Sequence, residues 1–432
     1  MKICSKKDIK IATGIMAATI LLGGCTVTTK TTEPEMKDDP DIKTEINLKD
    51  VGDADYDKDL MDAEYRRYCI DLMSQTIRDY GSDGNIMISP ASIMIALDMV
   101  AAGCKEDSLS QLTDLFAAGQ GPLSQQAYAA ALMDKINDSK DVEFSCANAI
   151  WCDATVFGNS INMEYVEYVQ DTFMAEYRLT PFTNSTVDEI NDWVYEHTDE
   201  MIDEVIQNLE EDTVMVLVNA IAFDGKWADP YEDIQVREGE FRCADGTAAN
   251  ATFLHDYLHT YYETDKATGF IKMYEGGEYA FVAILPTDES ISANEFLKNF
   301  TADDYEAFIN SATDEYDVIT MMPEFEYDFE FQMNDTITSL GCGNIFDSDT
   351  ADLSGISGDP GDLYVSSVYH KTHIEVDRNG TRAAAVTAIM VDGAMASEPN
   401  EQREVYCDRP FAYAIVDTNT MAPIFIGTVN EV

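Results

Sequence analysis

The chain is 432 residues long and 45% hydrophobic, enough for a large core in one big domain or two ordinary ones. Its 81 acidic residues against 27 basic ones give a formal net charge of −54. Such a surface repels phosphate backbones and anionic headgroups, which excludes nucleic-acid binding and leaves membrane contact only through a covalent lipid.

The N-terminus reads as a targeting segment. Lys2, Lys6, Lys7 and Lys10 precede an apolar run, Ile11 to Leu22, that is too short to span a bilayer comfortably. The run ends in Leu22-Gly23-Gly24-Cys25, which is similar to a bacterial lipobox. Residues 1–25 therefore read as a lipoprotein signal peptide, with Cys25 lipidated and the chain anchored at the bacterial cell surface. Residues 26–58 are rich in Thr, Lys, Asp, Glu and Pro and lack apolar periodicity, which predicts a flexible acidic tether. Residues 59–432 carry no repeat and no second linker and read as one domain.

Cys4 leaves with the signal and Cys25 takes the lipid, so seven of nine cysteines remain, with no C-x-x-C pair. That is neither a disulfide framework nor a zinc motif, and buried small hydrophobes are the plain reading. A Cys146–Cys152 pair stays open.

Tyr65, Cys69, Leu72, Met73 and Ile77 fall on one face at helical spacing. Ser89-Pro90 then suits a helix start, and Ile93 to Ala102 is apolar nearly all round apart from Asp98, so that helix belongs in the interior, with Gly103 as its stop. Val187 to Leu209 reads as an amphipathic helix. Val214 to Phe223 is a continuous apolar run, which predicts a strand covered on both faces, with Asn219 as a buried amide in need of partners. Tyr279 to Leu285 reads as a strand, and Phe411 to Val416 with Ile424 to Val429 as a terminal hairpin. The mixture predicts α+β. Ahead of that hairpin, Gly380 to Val391 is a run of small and apolar residues that leads into a patternless polar stretch.

Enzyme motifs are absent: no G-x-S-x-G elbow and no phosphate-binding glycine loop. His255 and His259 approach the zinc-protease spacing, but Thr260-Tyr261-Tyr262 favours a strand, where they would stand roughly 13 Å apart. No metal or cofactor is implied.

A dispersed set of motifs then resembles the serpin family over about 60–432. Asn85 to Ile93, with Ser89-Pro90-Ala91-Ser92, is similar to the family's N-x-x-x-S-P-x-S-I. Ala147-Asn148-Ala149, Asn191-Asp192-Trp193-Val194 and Val218 to Trp227 follow in order. So do Pro323-Glu324-Phe325, Leu340-Gly341, Asp352 to Ile356, His370-Lys371, Arg409-Pro410-Phe411 and Phe425-Ile426-Gly427. The resemblance implies three β-sheets, the main one five-stranded, eight or nine helices and an exposed reactive-centre loop. It implies a monomeric inhibitor that a serine protease attacks and to which that protease becomes covalently joined, as the cut loop inserts into the main sheet.

Site residues follow from the same resemblance. The hinge is Gly380, Thr381, Ala383, Ala384, Ala385 and Thr387; every second side chain of an inserting strand is buried, and the inward set here is small and uncharged. Counting from Gly380 puts the cleaved bond at Ala394-Met395, or after Met395, Ala396 or Ser397 if extra loop residues precede it. Small residues there suit elastase-like or subtilisin-like proteases. Ser89, Ser92, Asn219 and His370 match the buried shutter cluster. Trp227, Glu324 and Arg378 mark the top of the sheet, where the family's usual Glu and Lys are exchanged, predicting a salt bridge of reversed sign. Asp224 stands where the family has Lys. The alternative reading is a non-inhibitory serpin, a surface binding or chaperone-like lipoprotein.

Overall fold

The computed structural model describes residues 45–381 and 401–432, apart from 82, 118, 159, 199, 203, 204 and 210–212. Cys25, Ala383, Ala384, Ala385, Thr387, Ala394 and Met395 lie outside the described residues.

The helix Lys58–Tyr80 begins at Asp57, whose carboxylate accepts from the Leu60 amide, and ends at left-handed Gly81. The interior helix Pro90–Ala101 starts as expected, with the Ser89 side chain accepting from the Ser92 amide and proline in the first turn. The helix ends just before Gly103, as expected, and that glycine has a second role. A Cβ there would meet the Ile356 side chain at 2.1 Å, so glycine is needed for close packing. The helix read over Val187 to Leu209 is shorter, Asn184–His197. Glu200 takes a left-handed φ of 63°, and the Asn191 side chain captures the amides of Val205 and Ile206. Ile202 and Val205 stay buried beside Trp193 and Val194, which is why the apolar period outruns the helix.

The tether expected over 26–58 is also shorter at its C-terminal end. Leu48–Asp53 forms a 3-10 turn with Val51 buried, and Lys105 pairs with Glu45 at 3.0 Å. The few apolar side chains there reach the core, and a lack of periodicity did not reveal that.

Three sheets organise the domain. One runs in the order Ile86–Ile88, Ala422–Val429, Phe411–Asp417, Tyr279–Pro286, Ala267–Met273, Tyr261–Glu263, with every pairing antiparallel. A four-stranded sheet runs Glu401–Tyr406, Tyr316–Pro323, Ala248–Leu258, Val236–Arg242. The main sheet runs Phe325–Gln332, Tyr369–Val376, Gly380–Thr381, Met215–Lys226, Glu143–Asp153, Glu176–Thr180. Its sixth member beyond the expected five is the two-residue strand Gly380–Thr381.

The apolar run in Met215–Lys226 is explained by its two faces. Val216, Val218 and Ala220 pack with Trp193 and Val194 on one side, and Met215, Ile221 and Phe223 join the large core on the other. The seven described cysteines are all free thiols. Cys146 and Cys152 stand six residues apart on one strand, far beyond disulfide reach.

Candidate functional site in the main sheet

The main sheet has a slot at its centre. Among the described residues Tyr369–Val376 and Met215–Lys226 share no ladder of their own. They are joined only at one end, where Thr381 pairs with Val376 and Gly225, and Gly380 with Lys226. Below this join a cavity of ≈ 10 Å³ opens between the strands, lined by Ile93, Leu97, Leu217, Asn219, Tyr369 and His370. That volume is at the margin of what holds one water.

The start of the helix Pro90–Ala101 straddles the slot. On one side the Ser89 amide donates to His370 Nε2 at 3.0 Å. On the other the Ser92 hydroxyl donates to Asn219 Oδ1. Ser89 Oγ donates to the Ile424 carbonyl at 2.9 Å, tying the helix start to the C-terminal hairpin. All four residues that the resemblance assigns to the shutter are buried. Burial pushes the His370 pKa down to about 3, so the ring is neutral, and its Nε2 lone pair is the acceptor the Ser89 amide needs. The motif had already contained a fifth member without marking its role. Asn148 accepts from Asn219 Nδ2 at 2.5 Å and donates to the Phe173 carbonyl at 2.8 Å, so the polar chain crosses onto the strand Glu143–Asp153.

At the top of the slot, the turn Asp377-Arg378-Asn379-Gly380 folds back on itself. Asp377 Oδ1 accepts from the amides of Asn379 at 2.6 Å and Gly380 at 3.0 Å. Trp227 clamps this turn: its ring nitrogen donates to the Asp377 carbonyl and its amide to the Asn379 carbonyl, both at 2.9 Å. A Cβ on Gly380 would sit 2.2 Å from the Gly225 carbonyl, so the residue is glycine because two backbones touch. The expected Glu324–Arg378 salt bridge is not the contact formed. The Arg378 guanidinium pairs with Asp233 at 2.8 Å, and Glu324 Oε1 accepts from the Arg378 backbone amide at 3.2 Å. Burial raises the Glu324 pKa above the usual carboxylate range, with the Arg378 amide acting against it. Asp233 sits in a short turn 145 positions before Arg378, where no pattern in the sequence marks it.

Residues 63–432 match the family model described as Serpin (serine protease inhibitor). This chain belongs to the serpin family. An uncharacterized serpin-like protein of Methanosarcina mazei is 30% identical over 371 residues, covering 84% of this chain and 85% of that relative. The leukocyte elastase inhibitor A of Mus musculus is 29% identical over 367 residues, covering 82% and 95%. The crystal structure of the thermophilic serpin Tengpin in its native state aligns with a TM-score of 0.78 at 35% identity, over 88% of this chain and 96% of that one. The three sheets are those of the serpin fold, and serpins are in general protease inhibitors. His255 and His259, near the zinc-protease spacing in sequence, belong to the four-stranded sheet and its end: His255 lies in Ala248–Leu258 and His259 just beyond it.

Proposed function

We propose that this serpin is a suicide-substrate inhibitor of serine proteases with small primary pockets, held at the cell surface by a lipid on Cys25. The observation that carries the reading is the unladdered boundary between Tyr369–Val376 and Met215–Lys226, closed at one end by Gly380 and Thr381, which are already in register with both strands. The small inward set Thr381, Ala383, Ala385 and Thr387 supports it, because a charge there would stall burial. The name of the mouse relative points to an elastase as a target for that protein, in keeping with the small residues at Ala394-Met395 here.

The chemistry is the protease's own. Its serine oxygen attacks the Ala394 carbonyl carbon, the amide bond to Met395 breaks, and the Met395 nitrogen leaves as a protonated amine. The ester between serine and Ala394 would ordinarily be hydrolysed. Insertion of the freed loop into the slot carries the ester and the attached protease along the sheet and deforms the protease before water can act.

The test mixes the lipid-free chain with pancreatic elastase and, separately, with subtilisin. An adduct that survives denaturing electrophoresis, together with a released peptide that begins at Met395, is the expected result. Complete cleavage by both proteases with no adduct would support the non-inhibitory alternative. Labelling cells with a palmitate analogue tests the anchor, and loss of label in Cys25→Ser is expected.

A further inference from the structure

The join at the top of the slot is built around one buried hydroxyl pair. Thr381 Oγ1 lies 2.6 Å from the Tyr274 hydroxyl, and both residues are buried. The Tyr274 ring is fixed from two sides: it stacks on Trp227 at 4.7 Å and meets the edge of Phe223 at 4.9 Å. Those neighbours offer Tyr274 no polar alternative on its ring faces, so the Thr381 hydroxyl is the partner its own hydroxyl has. Gly225, the cross-strand neighbour of Thr381, makes room for the arrangement. A Cβ there would meet the Phe223 ring at 2.6 Å and the Tyr274 ring at 3.0 Å.

We propose that Tyr274 is a positioning residue that seats Thr381 in the main sheet, so that insertion of the cut loop starts from a strand pair already formed. The inference rests on the suicide-inhibitor reading. Starting a strand in mid-slot would require a free loop end to find its register, with the closure cost that entails. With Thr381 seated, each following residue adds one step of about 3.3 Å to an existing ladder. Speed matters because insertion competes with hydrolysis of the ester. Tyr274 therefore sets what fraction of cleaved inhibitor traps its protease, and leaves the attack on Ala394-Met395 unchanged.

The hydroxyl pair makes a directional prediction. Thr381→Val leaves the Tyr274 hydroxyl unpaired whenever residue 381 is seated, and Tyr274→Phe does the same to the Thr381 hydroxyl. In each single variant, leaving the sheet lets water satisfy the orphan, so the seat is weakened. The double variant removes both polar atoms, and its seat is restored by shape.

The experiment measures the number of inhibitor molecules consumed per elastase or subtilisin molecule inactivated, beside the rate of loop cleavage. Each single variant is expected to raise the consumption roughly 3- to 10-fold, and the double variant to return most of the way to wild type, with cleavage rates unchanged. A purely structural role would lower thermal stability and leave consumption where it was. Unchanged consumption in both single variants, with adduct still forming, overturns the proposal and spares the functional reading. Absence of any adduct from the unaltered chain overturns that reading and the proposal with it.

Discussion

In the sheet that ends with the C-terminal hairpin, every residue of Phe411–Asp417 and Ala422–Val429 is buried, and each of these strands has a neighbour on both sides. Tyr413 there stacks on Phe281 at 5.3 Å, and its hydroxyl meets that of Tyr327 at 2.8 Å. In the main sheet, two equally regular strands run beside each other with a slot between them, spanned from below by the polar chain Ser89, Ser92, Asn219 and Asn148 and by His370. One sheet is held by apolar packing along strands that are paired on both sides. The other is held at its centre by buried hydrogen bonds, and under the proposed mechanism these are the bonds that break as the loop strand enters.

Five changes sharpen or break this contrast. Tyr413→Ala removes a stacked ring from the finished sheet and is expected to cost about 4 kcal/mol in urea unfolding, without favouring loop insertion. Asn219→Ala is expected to cost about 2–3 kcal/mol, because it strands buried partners on Ser92 and Asn148. Unlike the first, it should speed spontaneous insertion of the intact loop, followed as loss of inhibitory capacity on warming.

The third change is pH. The His370 pKa is about 3 in the folded chain and ordinarily 6.5, so the unfolded chain takes up the proton first. Its contribution to stability is complete above about pH 6.5 and is lost as pH falls toward 3, at about 1.4 kcal/mol per pH unit. Urea midpoints across that window should fall more steeply for the wild type than for His370→Gln; parallel curves would count against the neutral ring as a fastener. The smallest effects belong to the sheet top. Glu324→Ala is expected to cost about 1 kcal/mol through the lost acceptor for the Arg378 amide. Arg378→Ala should leave the midpoint unmoved, since its partner Asp233 is almost fully exposed.

What the sequence showed, and what it hid, follows the range of each interaction. Ser89-Pro90 announces a helix start because capping is local, and the run from Val214 announces a strand because burial on two faces leaves no polar residues to interrupt it. Ser89, Ser92, Asn219 and His370 were legible only through resemblance: nothing local says that a helix start and two distant strands meet. Tyr274 carried no signal, one tyrosine among 22, until the fold placed its hydroxyl against Thr381. The reversed salt bridge was a sound inference from two charges and the wrong pairing, since any of many carboxylates can reach a surface guanidinium. Asp224 remains without a structural account.

The central claim is that the main sheet is one strand short and that the loop supplies it. The direct test is thermal unfolding, followed by circular dichroism, of the intact chain and of chain cut once within 382–400 by subtilisin. The cut chain should melt well above the intact one, by more than about 10 °C, because filling the slot completes the ladder. A cut chain that melts at the same temperature or lower would contradict the account, since severing a loop that has no place in the sheet can only loosen the molecule.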